Sequence, residues 1–462
     1  MSRAGETITA IATGAGPAGI AILRISGPDA LVVGDRLCGG DGRTLRQAAH
    51  TLRRARFTDS ATAEPIDDGL VAVFRAPRSW TGEDVVELQG HGGAMTMKRM
   101  FAACLVAGGR AARPGEFSER AFVNGKIDLA QAEAVADLIN ARSDAAQRAA
   151  LRQTDGDLSR RVNGVSDRLK AALAAIEASI DFPEEIGEID GPALEALLNE
   201  ARGEMAHLLE GAGYGIRLRE GVRVALTGRP NVGKSSLLNA LAGRERAIVT
   251  AIPGTTRDIV EEELQFGGIP VVALDTAGLR DTDDPVERIG VDRARDAVAQ
   301  ADLLIYVLDA AAGLTVADRQ LIAALPVGRP CVFAVNKADI GDAATALSAL
   351  RALLAPADIA AVATAAPTGV GLSELIDGVA RALGAPAEAG DSPLITSARH
   401  EAALANARVA TGRARETLAG GLPAELIAVD IHGALQSLGE ITGETAREEI
   451  IAGIFARFCI GK

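Results

Sequence analysis

The sequence predicts two fold classes in one chain, α/β and all-α, and three changes of texture predict it. Residues 1 to about 120 mix short β-like runs ("AGIAILRIS", "DDGLVAVFRA", "EDVVELQGHGG") with glycine turns, the pattern of strands bounded by turn residues. From about residue 128 the chain becomes rich in alanine and leucine with helical periodicity, as in "DLAQAEAVADLINARSDAAQRAALRQ", which is the spacing of one helix face. From "EGVRVALTG" onward, strand-like runs alternate with helical ones, the rhythm of a parallel sheet with crossover helices.

The elements run in this order. The first region, 1–120, predicts a small α/β or β-rich domain. In the second, Asp128 is placed to cap the first helix, because its carboxylate accepts from first-turn N–H groups. The third predicts strands at Val222–Leu226, Val271–Asp275, Leu303–Asp309, Val332–Asn336 and Ile359–Ala363, and a first helix at Lys234–Ala242. It ends near Leu383, where "GAPAEAGDSP" reads as a turn-rich link. Helical texture returns from Ile395 to Phe458, and Thr445 with Glu448 predicts a capping box for the last helix. The simplest architecture inserts 218–383 between two helical segments, 121–217 and 384–462, that pack as one bundle. The C-terminal block has only about three helices and needs a partner for its apolar face. Two separate helical domains are the alternative.

A chain of 462 residues is too long for one core, and about three domains are expected. Its net charge of −13, from 48 basic and 61 acidic residues, excludes gripping nucleic acid by bulk charge. RNA contact then needs a local basic patch or a partner's surface. One tryptophan, two tyrosines and ten phenylalanines leave no large aromatic stacking platform. No apolar run reaches the ~18 residues of a membrane span, and no basic-then-apolar leader is seen. A cytoplasmic protein with no membrane partner is expected. Cys38, Cys104, Cys331 and Cys459 are scattered, without metal-ligand spacing, which predicts reduced thiols and no structural disulfide.

"GRPNVGKSS", Gly228 to Ser236, follows a predicted strand and opens a predicted helix. It matches G-x-x-x-x-G-K-S, in which backbone N–H groups cradle phosphate oxygens. Lys234 reaches the β and γ phosphates and the Ser235 hydroxyl can ligate Mg²⁺. "NKAD", Asn336 to Asp339, ends a buried strand run. A carboxylate there accepts from N1–H and the exocyclic amine of guanine, a donor pair that adenine lacks. Between them lies "DTAG", Asp275 to Gly278, with Asp275 on the magnesium side and the Gly278 N–H able to sense the γ-phosphate. "GTTRD" supplies a switch-loop threonine for Mg²⁺, Thr256. "TAA", Thr364 to Ala366, stands where GTPases carry Ser-Ala-Lys against the base, but the lysine is missing. Leu279 stands where Ras-type GTPases place a water-orienting glutamine. Leucine cannot orient water, so hydrolysis must be organised otherwise, with acidic candidates in "LRDTDDPVERIG".

The ordered set "ILRISG", "TGEDVVELQGHGG", "RPGEFSERAF", "NGKIDLAQAEAVADLI", "GRPNVGKSS", "PGTTRD", "DTAGLR", "VERIG", "NKAD" and terminal "FCIGK" resembles the MnmE (TrmE) family of tRNA-modification GTPases, from Ile8 to Lys462. The resemblance implies a folate-binding, dimerising N-terminal domain over 1–120, a helical domain built from two segments, and an inserted Ras-like P-loop G domain over 218–383. It implies a homodimer and a flavoprotein partner, MnmG, carrying FAD in a heterotetramer. Together these use one-carbon tetrahydrofolate to add a carboxymethylaminomethyl or aminomethyl group at carbon 5 of the wobble uridine of certain tRNAs. The implied folate residues are Arg24, Glu87, Lys126 and Lys462. Cations suit the ligand's glutamate tail and a carboxylate suits its pterin donors. Cys459 is open between nucleophile and small buried hydrophobe, and His91 between the same pocket and a packing role.

The implied GTP contacts are Asn231, Val232, Gly233, Lys234, Ser235 and Ser236, then Thr250, Ala251, Ile252, Pro253, Gly254, Thr255 and Thr256, then Asp275, Thr276, Ala277 and Gly278. Asn336, Lys337, Asp339, Thr364, Ala365 and Ala366 complete them around the base. A potassium ion, implied at Asn231, Thr250, Ile252 and Thr255, would offset charge near the β–γ bridge, with paired G domains. Glu287 in "VERIG" would orient the attacking water. The competing reading is a regulatory RNA-binding GTPase of the ribosome-assembly kind without modification chemistry. Folate binding separates the two.

Overall fold

The computed structural model describes residues 5–14, 16–186, 190–244, 263–274, 297–355, 359–386 and 393–461. The first region forms β1 (Ile8–Ile11), β2 (Ala18–Ser26), α1 (Ala30–Leu37), α2 (Arg43–Arg46), β3 (Thr51–Thr58), β4 (Pro65–Phe74), β5 (Val85–Gly92), α3 (Ala94–Val106), β6 (Arg110–Ala111) and α4 (Glu116–Val123). Helices α5 (Leu129–Asn140), α6 (Asp144–Thr154), α7 (Asp157–Asp181), α8 (Pro183–Ile186), α9 (Gly191–Leu209) and α10 (Ala212–Glu220) come after it. Next come β7 (Val222–Thr227), α11 (Lys234–Arg244), β8 (Glu263–Phe266), β9 (Ile269–Leu274), β10 (Leu303–Asp309), α12 (Val316–Ala323), β11 (Cys331–Asn336), α13 (Ala343–Leu354), β12 (Ala361–Ala363) and α14 (Leu372–Ala382). Helices α15 (Ala398–Ala419), α16 (Ala424–Thr442) and α17 (Glu448–Phe455) end the chain. Its contacts divide it into two compact units. One takes Met1–Ala136, Thr154–Asn163 and Leu435–Lys462, the other Asp137–Gln153 and Gly164–Ala434.

In the first unit six strands run in the order β3-β4-β5-β2-β1-β6. Every pair is antiparallel except β1 with β6. Successive strand side chains point to opposite faces. Leu23 and Ile25 of β2, Val86 and Leu88 of β5, and Val71 and Val73 of β4 therefore share one face, buried with Val33, Leu37, Met97 and Met100 from α1 and α3. The same alternation turns Arg24 and Glu87 to the other face, where the β2–β5 register sets them directly opposite each other. There Ile8 and Ala10 of β1 pack on Phe117 of α4, all three buried. Phe455 and Phe458 from the chain's end are buried with Leu129 and Ala132 of α5.

The second unit contains a six-stranded sheet in the order β12-β11-β10-β7-β9-β8, parallel except for the β8–β9 edge. Its central strand, "LLIYVLD", is buried from Leu303 to Leu308, as expected of a strand covered on both faces. One face carries α11 and α14 through Leu237, Leu241, Leu375 and Val379. The other carries α13 through Ala346 and Leu350. Away from the sheet α9 packs on α15, with Arg415 Nη1 donating to Asn199 Oδ1 at 3.3 Å.

Asp128 caps α5 as expected. Its Oδ1 accepts from Gln131 N at 2.9 Å, and Gln131 Oε1 accepts in return from Asp128 N at 3.0 Å. The capping box expected at Thr445 and Glu448 is corrected. The residue before α17 is Arg447, without a side-chain cap, and the Thr445 hydroxyl donates instead to the Gln436 carbonyl at 2.6 Å. A nearby carbonyl outcompeted the helix end for that short side chain. Strand β9 starts two residues before the expected Val271, and β12 two after the expected Ile359. Edge strand β8 was not expected.

Candidate functional site

The parallel sheet delivers its chemistry at the carboxyl ends of its strands, where such sheets bind ligands. Strand β7 leads into the loop 228–233, and α11 leaves it at Lys234, so the loop stands at the positive end of the helix, where backbone N–H groups favour an anion. Asn231 turns the loop through a left-handed φ of 61°, a region that Asn tolerates better than bulkier residues. Gly233 is required by its neighbour: a Cβ there would lie 2.4 Å from Asn336 Nδ2. Lys234 Nζ donates to the carbonyls of Gly228 at 2.9 Å and Arg229 at 2.8 Å. Burial pulls this ammonium below its ordinary pKa, so an arriving phosphate offers it a better acceptor than two neutral carbonyls.

The end of β11 ties this loop to the base side. Asn336, 2% exposed, donates through Nδ2 to the Val232 carbonyl at 3.0 Å. Its Oδ1 accepts from Ala366 N at 3.3 Å and from Thr364 Oγ1 at 3.4 Å. Lys337 Nζ donates to the Asn231 carbonyl at 2.8 Å and to Asp309 Oδ2 at 2.7 Å. Burial opposes the charge on Asp309, but Lys337 and the Ala311 N–H outweigh it and hold the carboxyl below its usual range. Asp339 comes next on an exposed loop, where a carboxylate can meet a base edge. The structure thus gathers Asn231, Val232, Gly233, Lys234, Asn336, Lys337, Thr364 and Ala366 around one hydrogen-bonded frame, with Ser235, Ser236 and Ala365 adjoining it in the chain. Thr250, Ala251, Ile252, Pro253, Gly254, Thr255, Thr256, Asp275, Thr276, Ala277, Gly278, Leu279 and Glu287 lie outside the described residues.

Sequence reading missed a second tie on the loop. Arg229 Nη1 donates to Thr315 Oγ1 at 3.0 Å and to Asp318 Oδ2 at 3.3 Å, while the buried Tyr306 hydroxyl donates to Asp318 Oδ1 at 3.0 Å. Thr315 and Asp318 form the capping box of α12, and "TVAD" was the available signal.

In the first unit, Arg24 Nε donates to Glu87 Oε1 at 2.9 Å, and Nη2 lies 2.9 Å from the same oxygen. Nη1 donates to the carbonyl of Gly461 at 3.3 Å. The Phe117 ring centroid is 5.8 Å from the guanidinium carbon. The side chains of Arg24 and Glu87 are 18% and 14% exposed. Arg24, Glu87 and the last described residue therefore meet on one sheet face. Lys126 is exposed and donates to the Pro77 carbonyl at 3.0 Å, and Lys462 lies outside the described residues. Cys459 is exposed, which corrects its reading as a buried hydrophobe. His91 likewise has no packing role. Its ring is 73% exposed, and Nδ1 pairs with Asp67 Oδ1 at 2.7 Å. The hydrogen bond and charge of Asp67 raise the His91 pKa.

A buried ionic network binds the "TGED" loop to "RPGEFSERAF". Ser26 Oγ lies 2.7 Å from Thr81 Oγ1 and donates to Glu83 Oε2 at 2.8 Å. Arg120 Nη1 donates to Glu83 Oε2 at 3.0 Å and to the Glu6 carbonyl at 2.8 Å, and Nη2 donates to Glu116 Oε1 at 3.4 Å. Arg110 Nη2 donates to the same oxygen at 2.5 Å. Burial opposes the Glu116 charge, yet Arg110, the Arg113 N–H and Arg120 hold its carboxyl below the usual range. Among the described residues no group of three or more His, Cys, Asp or Glu side chains could hold a metal ion. No helix there is long and apolar enough to cross a membrane.

A parallel sheet whose glycine loop is cross-tied to an Asn-Lys-x-Asp strand end defines a P-loop GTPase. Family models place it further. The description "GTP-binding protein TrmE N-terminus" matches residues 7–126 and "MnmE helical domain" matches 129–459. The chain belongs to the MnmE family of tRNA-modification GTPases. It is 49% identical over 460 residues to the tRNA modification GTPase MnmE of Symbiobacterium thermophilum, covering 99% of each chain. It is 46% identical over 465 residues to that of Moorella thermoacetica, again covering 99% of each. Among solved structures, an Aquifex aeolicus Era variant bound to GDP.AlF4- matches 41% of this chain and 66% of its own, at 28% identity and a TM-score of 0.29.

Proposed function

We propose that this chain hydrolyses GTP with Mg²⁺ and K⁺ and, as a homodimer with the flavoprotein MnmG and its FAD, uses one-carbon tetrahydrofolate to place a carboxymethylaminomethyl or aminomethyl group on carbon 5 of tRNA wobble uridines. The observation that carries this is the match along the whole chain to relatives named for tRNA modification, because a G-domain fold alone names no substrate. The pairing of Arg24 with Glu87 beside the docked chain end supports a ligand site on that face.

In this reading Lys234 and the N–H groups of 231–236 hold the phosphates, Asp339 selects guanine, and Ser235 with Thr256 holds Mg²⁺. Asn231, Thr250, Ile252 and Thr255 hold K⁺. Both ions take hard oxygen donors, which the Ser235 hydroxyl and Asn231 amide supply. When bound, they neutralise charge on the transferring phosphoryl group. Glu287 orients the attacking water. We divide the chain into a tetrahydrofolate domain over 1–120, a helical domain over 121–217 and 384–462, and a G domain over 218–383, working in the cytoplasm. Mass spectrometry of wobble uridines from cells lacking the protein should show the modification lost. Calorimetry with a formyl- or methylene-tetrahydrofolate analogue should show binding. Intact modification and no heat would overturn the proposal in favour of a regulatory RNA-binding GTPase.

A further inference from the structure

We propose that Arg229 is a positioning residue for Lys234: it pins the entrance of the phosphate loop to the start of α12 and so fixes the two carbonyls that aim the lysine at the nucleotide. This deepens the GTPase reading and rests on it only for the contact between Lys234 and phosphate.

Different groups hold the two halves of the loop. Asn336 and Lys337 hold the far half, through the carbonyls of Val232 and Asn231. The near half, Gly228 and Arg229, supplies the carbonyls to which Lys234 Nζ donates, at 2.9 and 2.8 Å. Gly228 lies against β10: a Cβ there would come 2.3 Å from the Val307 carbonyl oxygen. Pro230 has no N–H and steers the residue before it away from helical backbone. The Arg229 side chain adds a third anchor, and it is the one that reaches outside the loop to a helix cap.

That cap is firmly seated. The Asp318 side chain is 1% exposed, and its Oδ2 accepts from Arg229 Nη1 at 3.3 Å, Thr315 N at 3.1 Å and Thr315 Oγ1 at 2.6 Å. Its Oδ1 accepts from the hydroxyl of Tyr306 at 3.0 Å. Tyr306 belongs to β10, is fully buried and packs on Phe333 with ring centroids 5.6 Å apart. Thr315 Oγ1 donates to Asp318 and accepts from Arg229 Nη1 at 3.0 Å and Asp318 N at 3.3 Å, so its one donor and both lone pairs are in use. One guanidinium nitrogen is thus clamped to a helix cap that is itself fastened to the central strand, while the carbonyl of the same residue holds Lys234. Asp318 neutralises the Arg229 charge at close range, so the arginine acts on phosphate through the placement of Lys234 and not through its own field. A lysine whose two carbonyls drift keeps its charge and loses its aim.

The test uses the full-length protein with Mg²⁺ and compares GDP with GMP, which lacks the β phosphate that Lys234 reaches. Each nucleotide displaces a fluorescent GDP analogue, and thermal unfolding is followed in parallel. Arg229→Met should weaken GDP binding about tenfold, through loss of one charge-assisted tie, and leave GMP within about threefold of wild type. Arg229→Lys sets an ammonium where the single Nη1 now serves both acceptors, and should bring GDP back to within about threefold of wild type. Arg229→Gln, uncharged but still a donor, covers the case of a methionine variant that does not fold. It should lose GDP affinity selectively, by an amount between the other two. Equal loss for both nucleotides, as general loosening of the sheet would give, or no loss for either, or no recovery with lysine, would overturn the proposal. Lys234→Met keeps the two readings apart, and should reduce the preference for GDP over GMP at least as far as Arg229→Met does. If it does so while Arg229→Met leaves that preference intact, only the role of Arg229 is wrong. If Lys234→Met itself leaves the preference intact, the lysine's phosphate contact is wrong and the proposal falls with it.

Discussion

Replacing Asn336 by alanine removes the buried side chain that joins the phosphate loop to the base loop, and leaves the Lys337 tie to the Asn231 carbonyl in place. Three hydrogen bonds go, to Val232 O, Ala366 N and Thr364 Oγ1. Asn336 and Val232 are each 2% exposed and Ala366 is 8% exposed, so water does not readily replace the lost partner. The Val232 carbonyl and the Ala366 N–H are left without it, at about 1–3 kcal/mol each. Local relaxation lets water reach one of them, which leaves about 1–3 kcal/mol. Nucleotide binding has to hold both loops in their native places, so the loss appears in affinity, roughly fivefold to a hundredfold in Kd. Titration with a fluorescent GDP analogue measures it, and thermal unfolding reports any part that falls on stability. Asn336→Asp is the sharper variant. It keeps the acceptor for Ala366 and Thr364 but sets a carboxylate oxygen where Nδ2 stood, 3.0 Å from a carbonyl oxygen. It should therefore bind no better than the alanine variant. Affinity within about threefold of wild type for Asn336→Ala, a difference of well under 1 kcal/mol, would refute the frame.

Further outcomes are expected. Arg120→Met removes the cation shared by Glu83 and the fully buried Glu116, which keeps Arg110, and should cost about 1–3 kcal/mol in denaturant unfolding. The depressed Glu116 pKa means that its contribution is full above the unfolded value of about 4.3 and is lost as pH falls through the folded value. Glu116→Gln should therefore flatten the acid limb of the stability curve. The raised His91 pKa works the other way: the pair with Asp67 is complete below the unfolded value of about 6.5 and fades as pH rises through the folded one. NMR titration should show His91 above its ordinary value, and Asp67→Asn should bring it down. Glu287→Ala should cut GTP hydrolysis by at least about a hundredfold while leaving nucleotide affinity unchanged, and wild-type hydrolysis should be faster in potassium than in sodium. Lost affinity, or equal rates in the two salts, would count against those roles.

Short-range pattern was enough for much of this protein. The run "LLIYVLD" could only be a strand buried on both sides, and β10 occupies the expected residues, Leu303–Asp309. "GRPNVGKSS" between a strand and a helix specified a phosphate loop, since glycine, lysine and serine at that spacing do their work within nine consecutive residues. Asp128 at a helix start likewise acts on neighbours three residues away. Pairings across long stretches of chain were decided only by the tertiary structure. Arg24 and Gly461 are separated by 437 positions, and Arg229 and Asp318 by 89. No local rule tells an arginine in a strand whether its donors will meet a ligand, a carboxylate or the chain's own end. That depends on sheet register and on which helix covers which face. The sequence named the chemical groups; packing chose their partners, because hydrogen bonds act over about 3 Å and only the fold brings such distant residues that close.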